Sequence, residues 1–455
     1  MIFIKNRKEL LFHGNRNGRR IALDIIEYAL AAIDPYSAIR KKVSIDNNVL
    51  IIDQLRYDLS KIQNIYVVGA GKGTIRMAEA LESILGNRIK KGVIIDKKVK
   101  RSKAHSLKII EVVEAGHPLP DEAGAKGAKE ILEIAKCSQY GDLVFVCVSG
   151  GCSSLMPLPV EGINLEDKKT LNDMLLKSGA TIDEINAVRK HISAIKGGRL
   201  AKYISPAEII NMLVIDEVAG LPWGPTVPDI TTFEDAINIL RKYDLFEKIP
   251  ISVKNHLEKG LVDPSLETPK RRDFEGFRVH NLILADNNVV CEAAKKKAEE
   301  IGLNAMILST CLEGESREVG IVLASIAKEI QEKGRPIKPP CVIVSGGETT
   351  VTIMGEIGEG GRNQELTLAS SMKINGRGNI VIASIGTDGT DGPTDMAGGV
   401  VDGYTFDRAK EKQIDIFTNI KKHNSSYVLR QLKDAIFTGP TGTNVMDLSL
   451  IIITN

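Results

Sequence analysis

The stretch LVFVCVSGGCSS (143–154) is an unbroken apolar run that halts at paired glycines and then offers two serines, and CVIVSGGETT (341–350) repeats the phrase with two threonines. Apolar runs without alternation predict strands buried on both faces, as in parallel sheets covered by helices. Glycine lets the chain turn sharply and approach a ligand closely. Backbone N–H groups and hydroxyls at Ser149, Gly150, Gly151, Ser153 and Ser154, and at Glu348, Thr349 and Thr350, are therefore expected to meet phosphate or carboxylate oxygens. Two such anion cradles predict two α/β domains facing each other across a cleft.

Working outward, strand-like and helix-like segments alternate on both sides of each phrase. IYVVGAGKG (65–73) leads into a helix near 74–85, GVIID (92–96) and IIEVVEAG (109–116) precede a helix near 121–136, and IINMLVID (209–216) follows helices near 165–178 and 182–193. This alternation predicts a Rossmann-like, mostly parallel sheet over residues 1–260. LVDPSLETPKRRDFEGF (261–277) mixes Pro, Gly and charge without periodicity and is expected to be a linker. A second, smaller α/β domain is expected over 276–455, with strands at 279–286, 304–310, 341–347, 351–355 and 379–386; LSLIIIT (448–454) reads as a central strand whose packing is left open.

The composition narrows the function classes. Among 455 residues, 60 basic and 58 acidic side chains give a net charge of only +2, so no global field concentrates nucleic acid, and a small-molecule partner is expected. Six cysteines without a CxxC pair predict reduced thiols and a cytoplasmic protein. No apolar run is long enough for a membrane span, and MIFIKNRKELLFHGN lacks the apolar core of a secretion signal.

Several loops carry candidate chemistry. In GAGKGT (69–74), Gly71 and Lys72 follow a strand and open a helix, and Asp96 ends the next strand where a ribose-binding acid would sit. A lysine inside the turn suits a phosphate or carboxylate better than a nicotinamide; a tight turn with a solvated lysine is the plainer alternative. EAGHPLPD (114–121) places His117 in a turn, as a ligand contact or an incidental imidazole. NAVRKHISAIKGGRLA (186–201) gathers Arg189, Lys190, Lys196 and Arg199, and Gly197-Gly198 between the last two is hard to explain as an ordinary solvated face. Arg362, directly after GEGG and followed by Asn363, is the expected substrate clamp, because a guanidinium grips an oxyanion with two prongs. GTDGTDGPTDMAGG (386–399) supplies Asp388, Asp391 and Asp395 for Mg²⁺ or for orienting a hydroxyl, with Asp388 preferred; tandem turns that stabilise the loop are the alternative. GPTGTNVMD (439–447) adds Thr441, Asn444 and Asp447.

Taken in order, VVGAGKG, EAGHPLPDEAG, VSGGCSSLMPLPVEGI, GATIDEINAVRKHISAIKGGRLA, GPTVPD, SGGETTV, GRNQEL, GTDGTDGPTDMAGGVVD and GPTGTNVMDL span nearly the whole chain. This series resembles the class II glycerate kinase family, whose C-terminal half is called the MOFRL domain. The resemblance implies ATP-dependent phosphorylation of D-glycerate to 2-phosphoglycerate, a requirement for Mg²⁺ or another divalent cation, and anion-gripping roles for Lys72 and Arg362. The chain departs from the family pattern after Asp216, where IDEVAGLPWGPT (215–226) is shorter, leaving nucleotide preference open. A homodimer is compatible with this reading, and no nucleic-acid or membrane partner is expected. The rival readings are a NAD-dependent hydroxypyruvate or 2-hydroxy acid oxidoreductase, resting on Gly69, Gly71 and Asp96, and a non-catalytic two-lobed binder of carboxylates or nucleotides.

Overall fold

Residues 2–98, 105–216, 223–355 and 358–455 are described by a computed structural model. The loop after Asp216 that departs from the family pattern lies largely outside them. The chain forms two compact units. One, the central unit, is continuous from Ile39 to Val214 and resumes through Leu284; the other, the terminal unit, combines the residues before Ile39 with those from Ala285 onward and the short stretch beginning at Ile215.

The central unit starts with an antiparallel three-stranded sheet, β1 (Val43–Asp46), β2 (Val49–Ile52) and β3 (Leu55–Asp58), which the sequence reading did not foresee. Its main sheet holds β4 (Ile65–Ala70), β5 (Ile89–Lys97), β6 (Ile110–Ala115), β7 (Leu143–Val148), β8 (Glu208–Val214) and β9 (Arg278–Ala285) in the order β6-β5-β4-β7-β8-β9. The pairs β4–β5, β5–β6, β4–β7 and β7–β8 are all parallel, as expected. Both β4 and β7 are buried along their whole length, which explains why their sequences are apolar without alternation. The strand order reverses between β4 and β7, and crevices at the carboxyl ends of strands on either side of such a reversal are where open α/β sheets take ligands. The GAGKGT and SGGCSS loops leave the sheet at that point.

The terminal unit carries β10 (Asn304–Leu312), β11 (Cys341–Gly347), β12 (Ile380–Gly386), β13 (Gly398–Asp402), β14 (Ala435–Ile436) and β15 (Asp447–Ile453), ordered β10-β11-β15-β12-β13-β14. The last strand is central. It runs antiparallel to both β11 and β12, so its first residue, Asp447, lies opposite Gly347 on one side and Gly386 on the other. That register brings three loops far apart in sequence to one sheet edge.

Three expectations are corrected. The helix Arg16–Ala32 belongs with the C-terminal strands and not with residues 39–260, because its buried face, including Ile21, Ile25 and Ala29, packs on β12, β15 and the Asn287–Glu300 helix. The segment 261–277 is not a linker: it forms two short 3-10 turns, and the Glu267 carboxylate receives His191 Nε2 at 2.9 Å and the Phe233 N–H at 3.2 Å. No strand forms at Val351–Gly355; the Thr352 N–H and hydroxyl bond the Glu315 carboxylate instead of a ladder. Among the described residues no helix is long and apolar enough to cross a membrane.

Candidate functional site

In the central unit the two loops at the strand reversal are laced together. Gly71 has φ +145°, and a Cβ there would collide with Ser149, so only glycine fits. The Lys72 N–H donates to the Gly150 carbonyl at 2.9 Å and the Gly73 N–H to Ser149 Oγ at 3.0 Å. Ser149 is thus an anchor between loops. Gly151, with φ +85°, is flanked by two side chains: a Cβ added there would lie 2.8 Å from the His117 ring and 3.4 Å from Lys72 Cγ. The structure therefore gathers Lys72, His117, Gly150 and Gly151 into one place. The helix after them, Cys152–Leu155, is only four residues long, so the helix dipole expected to hold an anion here is weak. Ser154 Oγ turns back to the Gly151 carbonyl at 3.1 Å.

Side-chain charge takes over from the dipole. Lys196 is buried and its Nζ donates to the Ser153 carbonyl at 2.8 Å and to Ser153 Oγ. Burial pushes its ammonium down to about 8, against attraction from Cys152 and with a smaller push from Arg189. Lys168 is 2% exposed and donates to the Pro157 carbonyl at 2.9 Å. Burial, then the charges of Lys196 and Arg189, hold it well below the ordinary lysine value. Arg189, lowered by burial, donates to Asn172 Oδ1 at 2.9 Å. None of these three cations has a carboxylate partner among the described residues. Buried like charges without counterions are costly, and a bound anion relieves that cost. The rest of the basic run is accounted for by the protein: Lys190 pairs with Asp229 at 2.5 Å, and Arg199 donates to the carbonyls of Leu266 and Glu267.

Asp96, the acid expected at a ribose, caps a helix instead. Its oxygens accept from the Ile75 N–H at 3.4 Å and from the Lys97 N–H at 2.7 Å, and it is 3% exposed.

In the terminal unit, Arg362 is the first residue of the Arg362–Lys373 helix. Its guanidinium grips Asp447 with two prongs, Nε to Oδ2 at 2.7 Å and Nη2 to Oδ1 at 3.0 Å, while Nη1 meets Glu348 at 2.7 Å. Burial raises the carboxyl groups of Glu348 and Asp447, and Asp388 raises both further, against the opposing pull of Arg362. Three acids thus press on one arginine. The guanidinium is raised above its ordinary value, burial being outweighed by Asp447, Glu348 and Asp391.

Several residues expected at a ligand are hydrogen-bonded within the protein. Asp391 caps the Arg362 helix, accepting from the Asn363 and Gln364 N–H groups at 3.1 and 2.9 Å, and burial followed by repulsion from Asp447 pushes it up to about 6. Asn363 spends its amide on Asp391 and Asp447 and its carbonyl on Ser384. Thr349 accepts from Ser316 Oγ, and Thr350 Oγ1 donates to Gly314. Thr441 Oγ1 donates to the Thr387 carbonyl at 2.6 Å, and Asn444 to Asp216 at 3.1 Å. Asp395 pairs with Arg430. Asp388 holds a turn through Thr390, and its charge acts on the Arg362 cluster.

Comparison with known proteins joins these observations. Residues 21–258 match a family described as a domain of unknown function, DUF4147, and residues 341–447 match the MOFRL family. A protein of Pyrococcus horikoshii named glycerate 2-kinase is 46% identical over 442 residues, 96% of this chain and 98% of that one. The chain belongs to the glycerate 2-kinase family. The crystal structure of glycerate kinase from Thermotoga maritima superposes with a TM-score of 0.84 at 38% identity, covering 96% of this chain and 99% of that one. An Agrobacterium vitis relative, 36% identical over 443 residues, carries a hydroxypyruvate reductase name.

Sequence reading missed Lys168 at this site. It lies on the Leu165–Lys177 helix at three-residue spacing from Leu165 and Leu171, both buried, so the readable sign was a lysine on the apolar stripe.

Proposed function

We propose that the protein transfers the γ-phosphoryl group of ATP to D-glycerate, giving 2-phosphoglycerate and ADP. The observation that carries this reading is the convergence of buried Lys168 and Lys196 with half-buried Arg189, all without carboxylate partners among the described residues, behind the glycine–serine loop at the strand reversal. Both substrates and both products are anions, and phosphoryl transfer asks the protein mainly to hold them in line and neutralise charge. In the step itself the glycerate hydroxyl releases its proton to solvent as its oxygen bonds to phosphorus, the bond to the β-phosphate oxygen breaks, and ADP leaves with that electron pair. The nicotinamide reading, which the hydroxypyruvate reductase names carry, is disfavoured by the glycerate 2-kinase relatives at higher identity over nearly the whole chain. Free thiols at all six cysteines fit a reducing cytoplasm.

The test is an assay of the purified protein with ATP, Mg²⁺ and D-glycerate, following ADP and identifying the product isomer by ³¹P NMR. Stoichiometric ADP and 2-phosphoglycerate are expected. Silence in that assay together with NADH oxidation by hydroxypyruvate would sink the proposal.

Mg²⁺ needs only one or two protein carboxylates when phosphate oxygens and water complete its shell. No cluster of three or more ligating side chains exists among the described residues, so a single donor fits better than a protein cage. Asp388 would be that donor, and the ion would neutralise phosphate charge there. Asp388→Asn is expected to raise the Mg²⁺ concentration for half-maximal activity about tenfold, read by Mg²⁺ and Mn²⁺ titration. An unchanged metal requirement removes Asp388 from this role.

Lys196 predicts a pH dependence. Its folded value of about 8 lies below the ordinary 10.5, so between them the unfolded chain binds more protons, and the unliganded protein gains stability from this group as pH rises through that window. Substrate binding runs the other way, since an anion needs the charged ammonium. KM for D-glycerate is expected to climb above pH 8 in the wild type and to be high and flatter in Lys196→Met. A wild-type KM that ignores pH between 7 and about 9.5 would show that Lys196 does not meet the substrate.

A further inference from the structure

A cavity of about 610 Å³ opens elsewhere in the central unit, between the Arg199–Ile204 helix, the Ile251–Val262 helix and the loop at 160–162. Its walls include neither the loop 149–154 nor Lys168, Arg189 or Lys196. We propose that it binds a second ligand, a small phosphorylated anion, at a site distinct from the one described above.

The charge balance points to an anion. Arg199, Lys202 and Lys259 line the cavity, against a single lining carboxylate, Glu161. Exposed lysines are ordinarily just solvated, and Lys202 and Lys259 alone would mean little. Arg199 is different. It lines the cavity at 9% exposed, its two terminal nitrogens are fixed by the neutral Leu266 and Glu267 carbonyls at 2.8 and 3.3 Å, and it has no carboxylate ion pair among the described residues. A guanidinium fixed by neutral carbonyls keeps its full positive charge at the cavity wall, where an oxyanion would balance it. Nearby acids are otherwise engaged: Asp229 holds Lys190, and Glu267 holds His191, Lys270 and two backbone N–H groups. A volume of this size matches a metabolite and far exceeds that needed by a lone ion.

His256, on the cavity wall, reports the same field. Its Nε2 donates to the His191 carbonyl at 3.0 Å, so the neutral ring presents Nδ1 as an acceptor. Burial lowers its pKa, and the charges of Arg199, Lys259 and His191 lower it further, against the raising effect of that hydrogen bond. An anion in the cavity cancels part of the repulsion and raises the imidazole. Phosphate is favoured over a simple carboxylate because two mobile ammonium groups and a fixed guanidinium together match a dianion.

The experiment is an NMR titration of the His256 imidazole in the full-length protein, assigned with His256→Gln, without and with saturating inorganic pyrophosphate. In the wild type, pyrophosphate is expected to raise the His256 midpoint by about one pH unit. The double charge reversal Lys202→Glu with Lys259→Glu, at exposed positions, is expected to abolish that response and leave glycerate phosphorylation at saturating substrate unchanged. Lys196→Met is expected to retain the response. Displacement of pyrophosphate by ADP or by 2-phosphoglycerate identifies a nucleotide or an acid phosphate as the source. The proposal is overturned if the wild type shows no saturable shift, or if the shift survives the double reversal and disappears in Lys196→Met, which would place the anion at the loop 149–154. It does not depend on the kinase reading, since binding is read without turnover.

Discussion

Replacing Arg362 by alanine is expected to lower kcat/KM for glycerate phosphorylation by about 10²–10³ while the protein stays folded. The guanidinium is not a lone donor. It holds Asp447 through two hydrogen bonds and Glu348 through a third nitrogen, and both acids already sit above their ordinary values because burial and Asp388 disfavour their charged forms. Removing it deletes one positive charge and also exposes any approaching phosphate or carboxylate to unneutralised acids, so the site changes from attracting an anion to repelling one. The effect should therefore reach the upper part of the range for a single lost donor. Arg362→Lys keeps the charge but not the planar fork, and is expected to recover only part of the rate. Some stability is also lost, because Asp447 is buried and loses its counter-ion, keeping only the Asn363 amide, so a thermal melt must accompany the kinetics. Wild-type turnover in a folded Arg362→Ala protein would remove this arginine from the reaction.

The same cluster shows what the sequence could and could not reveal. Paired glycines after apolar runs marked where both strands end, because the halt of an apolar run is local; a Cβ at Gly151 would meet the His117 ring, and one at Gly347 the Leu312 backbone. The roles of the polar residues beside them were not local. Ser149, Thr349, Thr350, Asn363 and Asp391 have the side chains expected at a ligand, yet each is hydrogen-bonded to the protein itself. Sequence spacing cannot show which of two partners, ligand or backbone, such a group meets. The partner of Arg362 was hidden for a topological reason. Asp447 reaches it only because the last strand inserts antiparallel between β11 and β12, a pairing across 85 residues that no local pattern encodes. Likewise the helix Arg16–Ala32 has a clear amphipathic period, and the period says that one face is buried without saying under which sheet. Lys168 was missed because a lysine on a helix is taken as solvated until its neighbours are seen; its burial against two other cations is a tertiary fact.

Lys72→Ala is the second substitution expected to cost about 10²–10³ in rate while the protein stays folded. The backbone of Lys72 is what ties the two loops, through its N–H to the Gly150 carbonyl at 2.9 Å, and alanine keeps that bond. Gly71, which must remain glycine, and Gly73, whose N–H meets Ser149, are untouched. What alanine removes is the ammonium at the end of a stem that passes along Gly151 beside the His117 ring, at the reversal point of the parallel sheet. Because the helix at that point has only four residues, no dipole replaces the lost charge, and Lys196, whose side chain reaches the loop at Ser153, is bound to Ser153 itself. Lys72→Arg tests charge against shape: partial recovery is expected if the lysine neutralises phosphate charge, and none if a compact ammonium must fit between Gly151 and His117. The variant also separates the two enzymatic readings, since loss of ADP formation with glycerate follows only if the lysine serves phosphoryl transfer. A folded Lys72→Ala protein that phosphorylates glycerate at the wild-type rate would leave the GAGKG loop as a tight turn with a solvated lysine, and the anion site would then rest on Lys168, Arg189 and Lys196 alone.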